Sequence, residues 1–362
     1  MPDARTALHD WHVARPARMV PFAGYAMPVQ YGGVVEEHHA VRTHAGLFDI
    51  SHMARLSFAG SNATAFLDHV FTNSVAGMKL DQVRYGLLLN DAGFVLDDVL
   101  VYRWPYGYSM VVNASNRGKI VAWLTAKAEA FDVRLGDETD ATAMLAVQGP
   151  VAVALTAGLF DFDANTLKNY YARPTLYCRN GCVVSRTGYT GEDGLEIIVP
   201  NELAVSLAEE LVARGAKPCG LGSRDTLRLE AAMPLYGHEL TEAIDPLSAG
   251  LGWAVKLDKG DFVGRAALKA MPMTHTRVGL ELDGKRAGRE GCPVLAEGEV
   301  VGTVSSGSYG PFVGKSFALA TVPLRFSPPG TPLTVDIRGT PTPARVVSLP
   351  FYRRPKSVET PS

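Results

Sequence analysis

At 362 residues the chain is too long for one ordinary hydrophobic core, so a division into two or three domains is expected. Hydrophobic residues make up 47% and charged residues 20%, a balance that excludes a disordered chain and a membrane-embedded one. A formal charge of −2 argues against general nucleic-acid binding, which needs a basic stripe, and no apolar run approaches the length of a membrane span.

The opening stretch mixes Asp3, Arg5, His9 and Asp10 among small residues, without an apolar signal core or an Arg- and Ser-rich presequence; a cytoplasmic location is expected. Glu36-Glu37-His38-His39, with His44 and His52 downstream, lacks a metal-ligand spacing and reads as a solvated polar helix end. Residues 52–136 read as an α+β unit. Within it, 53–59 alternate like a strand, and Ser61-Asn62 cap an apolar helix through Phe71. Strand-like runs at 83–89, 94–104 and 108–113 follow, joined by Asn90-Asp91-Ala92-Gly93 and Pro105-Tyr106-Gly107, both rich in turn formers. A helix opens at Asn116, and 133–135 close the unit in a nearly split-βαβ arrangement.

Farther on, strands are expected at 143–147, 175–178, 182–186 and 195–199, with an amphipathic helix over 202–213. The Asn180-Gly181 pair signals a hairpin turn. A second helix, over 223–233, is expected to stop at Pro234. Short β-runs at 278–282, 300–305, 317–322, 333–337 and 345–347 alternate with Gly and Pro turns, the pattern of a small all-β domain. Cys178, Cys182, Cys219 and Cys292 complete no zinc spacing and read as free thiols.

Three features carry chemistry. Asp97 and Asp98 sit inside the apolar run Phe94-Val95-Leu96-Asp97-Asp98-Val99-Leu100-Val101-Tyr102, where an ionised carboxylate is costly unless partnered. Alternation places Asp98 with Leu96 and Leu100, and Asp97 with Val95 and Val99; both faces are apolar, so periodicity does not choose between them. The run Arg186-Thr187-Gly188-Tyr189-Thr190-Gly191-Glu192-Asp193-Gly194-Leu195-Glu196 combines glycines and small hydroxyl residues that let backbone approach a flat ligand. Tyr189 can pack on an aromatic ring, and Glu196 can accept paired N–H bonds. Arg224 and Arg228 share one helix face, either to clamp a carboxylate or to form surface salt bridges. Gly310-Pro311-Phe312-Val313-Gly314-Lys315-Ser316 is one residue short of a phosphate-cradling loop and contains proline, so that role is not expected.

In order, the chain resembles glycine cleavage T-proteins. Its opening carries Met19-Val20-Pro21-Phe22-Ala23-Gly24-Tyr25 and Gly46-Leu47-Phe48-Asp49-Ile50-Ser51-His52-Met53. The paired aspartates, Val111-Val112-Asn113-Ala114, Val147-Gln148-Gly149-Pro150 and the 186–194 loop follow at similar intervals. Arg228-Leu229-Glu230-Ala231, Leu235-Tyr236-Gly237-His238-Glu239-Leu240, Gly250-Leu251-Gly252-Trp253 and Leu349-Pro350-Phe351-Tyr352 complete the series.

The resemblance implies an α+β fold of three domains around a central folate channel. The first is discontinuous (1–51 and 137–250) and carries the folate-site loop; the second (52–136) is split-βαβ and carries the catalytic carboxylate; 251–362 form a linker and an all-β domain. It implies transfer of the aminomethyl carbon from the lipoyl arm of H-protein to tetrahydrofolate as co-substrate. The products are methylenetetrahydrofolate, ammonia and dihydrolipoyl H-protein, and no metal is called for. Expelling ammonia leaves a cationic, iminium-like carbon. A carboxylate beside the folate nitrogen orients that nitrogen, stabilises the charge and accepts its proton. By family position Asp98 is the catalytic carboxylate, and Met53, Tyr85, Asn113, Tyr189, Glu196, Arg228 and Tyr236 match folate-site positions. Arg353 and Arg354, with Lys356, form the basic cluster expected to meet the acidic H-protein; neither nucleic acid nor membrane is an expected partner. Two departures, Ser248 where family members often carry Glu and the 305–310 segment, are expected to leave the folate residues untouched. A folate-dependent demethylase would keep the folate site without H-protein. The Lys-Gly-Cys-Tyr-x-Gly-Gln motif of folate-binding iron–sulfur assembly factors is absent.

Overall fold

In the computed structural model, which describes residues 3–355, the β-forming runs assemble into a two-stranded hairpin (Arg18–Phe22 with Tyr25–Gln30) and three larger sheets, each of the three packed on its own apolar cluster. Lys356 lies outside the described residues. Among the described residues, no helix is long and apolar enough to cross a membrane.

The first sheet has six strands in the order Ala172–Tyr177, Asn180–Ser185, Gly194–Pro200, Thr142–Gln148, Gly46–Asp49 and Lys217–Pro218. Its central strands are buried on both faces, and alternation divides their side chains. Leu145, Val147, Leu195 and Ile197 meet Leu207 and Leu211 of the Ala204–Ala213 helix. Met144 and Ala146 point the other way, onto Tyr102, Trp104 and Val111 of the second sheet.

That second sheet is antiparallel, in the order Val83–Leu89, Val95–Trp104, Gly107–Val112, Ala54–Ala59 and Arg134–Asp137. With the edge strand Val83–Leu89 set aside, the rest follow the split-βαβ pattern, the first strand lying between the third and the last. Helices Ala63–Val70 and Arg117–Ala128 cover one face through Phe66, Leu67, Ile120 and Leu124. The C-terminal strands close into a six-stranded barrel around Leu280, Val294, Val304 and Val335. Its Pro293–Ala296 strand was not among the expected runs; four residues with a proline carry too little alternation to stand out. Between sheet and barrel, Leu240, Leu251 and Phe262 pack a mostly irregular segment onto Leu87, Leu89 and Val95.

Four local expectations are corrected. The hairpin turn falls on Cys178-Arg179, whose φ values of 49° and 66° are left-handed, while Asn180 and Gly181 pair in the strand. Asn62 makes no side-chain cap; its Oδ1 instead accepts from the Asp132 amide at 3.1 Å, tying the helix start to a neighbouring loop. The second helix spans Leu221–Glu230 and stops before Pro234 is reached. Ala232, at φ 55°, closes it: its amide bonds the Leu229 carbonyl and the Met233 amide bonds that of Arg228, a Schellman ending. Finally, Glu37 and His38 are fully buried and not solvated. Glu37 accepts from the Tyr31 and Gly220 amides and from Ser223 Oγ, and His38 meets Thr226 and Glu230.

Candidate active site

A cavity of about 990 Å³ lies where the two sheets, the irregular segment and the barrel meet. Asp98, Met53, Tyr85, Asn113, Tyr189, Glu196, Arg228 and Tyr236 all line it, brought from eight separate points of the chain. Arg353 and Arg354 do not.

A β-bulge separates the roles of the two aspartates. Leu88 pairs with Asp97 but Leu89 pairs with Val95, so Leu96 is the extra residue. It turns Leu96 to the helix-covered face with Val99 and Val101, while Leu100 stays with Tyr102 on the other. Strict alternation, which puts Leu96 beside Leu100, is overturned here. Asp98 reaches the cavity; Asp97 is completely covered.

The Asn113 side chain joins the pair, its Nδ2 lying 2.8 Å from Asp98 Oδ1 and 2.9 Å from Asp97 Oδ1. Asp97 also accepts from the Asn113 amide at 3.1 Å and from Asn116 Nδ2 at 2.6 Å. The other Asp98 oxygen accepts from the Tyr85 hydroxyl at 3.1 Å. Burial raises both carboxyls above the usual carboxylate range, and the Asp98 charge raises Asp97 further. A carboxylate held from two sides, with elevated basicity and access to the cavity, suits proton acceptance and cation stabilisation.

The 186–196 loop forms the facing wall. Gly188 is required because a Cβ there would run into the Gln148 side chain, and Gly191 stands at φ 80° with Ala231 behind it. This close fit brings Tyr189 to the cavity, where its hydroxyl donates to the Pro234 carbonyl at 2.5 Å. Glu196, from the Gly194–Pro200 strand, accepts from Thr187 Oγ1 at 2.5 Å. Burial pushes its carboxyl up, opposed by that hydrogen bond and by the charge of Arg224.

Arg224 and Arg228 both face the cavity, which excludes the surface-salt-bridge reading, yet they differ in what they have to offer. Arg228 is saturated, donating to Asp225 at 2.8 Å, Glu239 at 2.9 Å and Ser306 Oγ at 2.8 Å. Arg224 lies 5.0 Å over the Tyr189 ring, and its buried Nη1 has no partner among the described residues. Among the described residues it thus keeps a buried donor without a protein acceptor, a distinction from Arg228 that helical spacing alone does not make. The Ser306 bond also corrects the expectation that the 305–310 departure leaves the folate residues untouched. Ser248 does stand apart, its carbonyl accepting from the Arg277 amide.

Two further residues were not singled out from sequence. Trp253, 59% exposed, stacks on Tyr85 with ring centroids 5.4 Å apart. His52, in the same cavity, is pushed down by burial to about 4, so it is a neutral imidazole near pH 7. Tyr236 is oriented by Lys119, whose ammonium donates to its hydroxyl at 2.8 Å. Met53 adds apolar wall. Outside the cavity, Arg353 donates to the Leu349 carbonyl, and Arg354 stands 3.6 Å from Asp193.

Residues 8–259 match the family model for the GCVT N-terminal domain, and 275–353 match the glycine cleavage T-protein C-terminal barrel domain. An aminomethyltransferase of Streptomyces coelicolor is 46% identical, the alignment covering 97% of this chain and 98% of the relative. One of Desulfitobacterium hafniense is 42% identical at the same coverage, 97% and 98%. The crystal structure of glycine cleavage system aminomethyltransferase T from Bartonella henselae matches with a TM-score of 0.91 and 34% identity, over 97% of this chain and 98% of that one.

Proposed function

This chain belongs to the glycine cleavage T-protein family and is an aminomethyltransferase of that system, and from this premise we propose how its cavity works. It takes tetrahydrofolate as co-substrate and admits the aminomethylated lipoyl arm of H-protein, with Asp98 as the catalytic carboxylate. The cavity is large enough for a folate-sized molecule and has the lining such a flat, partly polar ligand needs. Glu196 accepts from the N–H edge of the ring, Tyr189 and Tyr85 supply aromatic surface, and the unpaired Arg224 Nη1 is available to a ligand oxygen. Tetrahydrofolate supplies the nitrogen that takes up the one-carbon unit.

Asp98 orients that nitrogen, stabilises positive charge developing on the transferred carbon, and accepts the proton released. Tyr85 and Asn113 fix the carboxylate, one to each oxygen, so that little reorganisation is needed as charge appears. The walls around them exclude water and hold the two reacting groups in register, where most of the rate gain arises. Arg228 frames the site through Asp225, Glu239 and Ser306.

The observation that carries this reading is the two-sided clamp on Asp98 at the cavity wall, opposite a loop bearing Tyr189 and Glu196. Purified chain mixed with aminomethylated H-protein and tetrahydrofolate should release ammonia and form methylenetetrahydrofolate. Ammonia release that ignores the presence of folate would remove the folate role.

A further inference from the structure

Behind the Tyr189 loop lies a buried ion pair that no step above uses. The Val34–Thr43 helix delivers Arg42, which does not line the cavity and whose side chain is fully covered. Four hydrogen bonds engage its guanidinium. Nε donates to Glu230 Oε2 at 3.0 Å, and Nη2 to the Leu227 carbonyl at 3.3 Å. Nη1 donates to the Thr190 carbonyl at 2.8 Å and to Glu192 Oε1 at 2.9 Å. Its planar face lies 3.9 Å over the Tyr352 ring.

Glu230 completes the assembly. It accepts from His38 at 3.0 Å and, through its other oxygen, from the Phe312 and Val313 amides at 3.1 and 3.3 Å. The loop that mimics a phosphate cradle therefore holds a carboxylate of the protein itself. One ion pair thus joins two helices, the Tyr189 loop, a barrel loop and the chain near Tyr352.

Stability alone does not account for this choice. Removing two charges from water costs several kcal/mol per ion, and apolar residues of similar volume often serve as well. What apolar residues lack is direction. The Arg42 fork fixes the Thr190 carbonyl and the Glu192 carboxylate, the residues on either side of Gly191. Gln148 supports the same loop through Thr190 Oγ1 and the Thr187 carbonyl.

We propose that Arg42, held in place by Glu230, is a positioning residue for folate binding: it sets the loop conformation that presents Tyr189 to the cavity. The inference rests on the reading of that cavity as the folate site. Lysine is no substitute, because a single ammonium cannot reach Glu230, Thr190 and Glu192 together in the fork's geometry.

The test uses full-length Arg42→Lys and Glu192→Gln chains. Amide hydrogen exchange over 187–194 should quicken in both. The KM for tetrahydrofolate should rise roughly tenfold in Arg42→Lys and less in Glu192→Gln, in keeping with the cost of small misplacements. The KM for H-protein should change less than that for tetrahydrofolate in both variants, since Arg42 touches the chain end only through the Tyr352 ring. Should Arg42→Lys fail to fold, Glu192→Gln, which keeps a neutral acceptor at the loop end, carries the test alone. Unchanged loop exchange with unchanged folate KM overturns the inference, and equal rises in both KM values show a structural role only. A wild-type chain that binds no tetrahydrofolate overturns the cavity reading instead.

Discussion

Asp97 and Asp98 are neighbours in the chain with opposite duties, and the bulge at Leu96 lets them differ. Asp98 is half-buried at the cavity wall and desolvation raises its pKa, so above that pKa its ionised form opposes folding, while the chemistry needs it ionised. Asp98→Asn should therefore abolish most turnover in an ammonia-release assay, yet melt at the same or a higher temperature at pH 8. A variant retaining near-normal turnover would remove Asp98 from the mechanism. The same signs fix a pH profile. Tyr85 and Asn113 donate to the anion and hold its pKa down against burial, so removing a donor raises it. In Tyr85→Phe the acid limb of kcat/KM should move to higher pH by about one unit, the worth of a hydrogen bond to a charged group. A limb that stays put or moves down would show that another group controls it. Asp97→Asn turns an amide toward the Asn113 and Asn116 donors, leaving them unmatched; it should lose about 1–3 kcal/mol in chemical denaturation.

At the scale of elements, the Leu221–Glu230 helix shows where local rules stop being decisive. Its end is set by Ala232 in a left-handed conformation that glycine adopts without strain. Ala232→Gly should stabilise the chain by roughly 0.5–1 kcal/mol, read as a higher denaturation midpoint, if relief of strain exceeds the added unfolded-state freedom. A lower midpoint would mean that the Cβ packing of Ala232 outweighs its strain. Helices and strands with long apolar periodicity were legible in the sequence because their period alone defines a buried face. The strand Val83–Leu89 and the helix ending at Ala213 show this. The hairpin was legible as a turn but misplaced by two residues, because cross-strand register outweighs the Asn-Gly preference and places Cys178-Arg179 at the corner. Burial of Glu37 and His38 was not legible at all; polar residues look solvated until their partners, distant in sequence, are seen. Of the eight cavity positions, Asp98, Tyr189, Glu196 and Arg228 stood out by residue type and spacing, whereas Met53, Tyr85, Asn113 and Tyr236 came from family order alone, because nothing local marks them as neighbours. The difference between a saturated Arg228 and an Arg224 whose Nη1 lacks a partner among the described residues arises from tertiary contacts that helical spacing does not encode.

For the whole molecule, a formal charge of −2 gives no long-range field to draw in an acidic carrier, so attraction must come from local patches. Arg353 and Arg354 remain the proposed patch for H-protein. Both lie outside the cavity, next to the Phe351 and Tyr352 rings that pack on Phe317 and Arg42, so the backbone that presents them is anchored. Arg353 is exposed, and its side chain donates to the Leu349 carbonyl. Arg354 is partly drawn to Asp193, which Arg186 already grips at 2.6 Å, so a second acidic surface can compete for it. Such docking is salt-sensitive, since screening tightens from about 10 Å at 0.1 M to about 3 Å at 1 M. Arg353→Gln combined with Arg354→Gln should raise the KM for H-protein severalfold at low salt, roughly the 0.5–1 kcal/mol of one or two exposed charge contacts. The rise should shrink as salt is added, because screening removes in wild type what the variant has lost. The KM for tetrahydrofolate should stay constant, since neither arginine lines the cavity. Identical H-protein kinetics across the salt series would place docking elsewhere, and a matching rise in the folate KM would show that the change had disturbed the Tyr352 anchor.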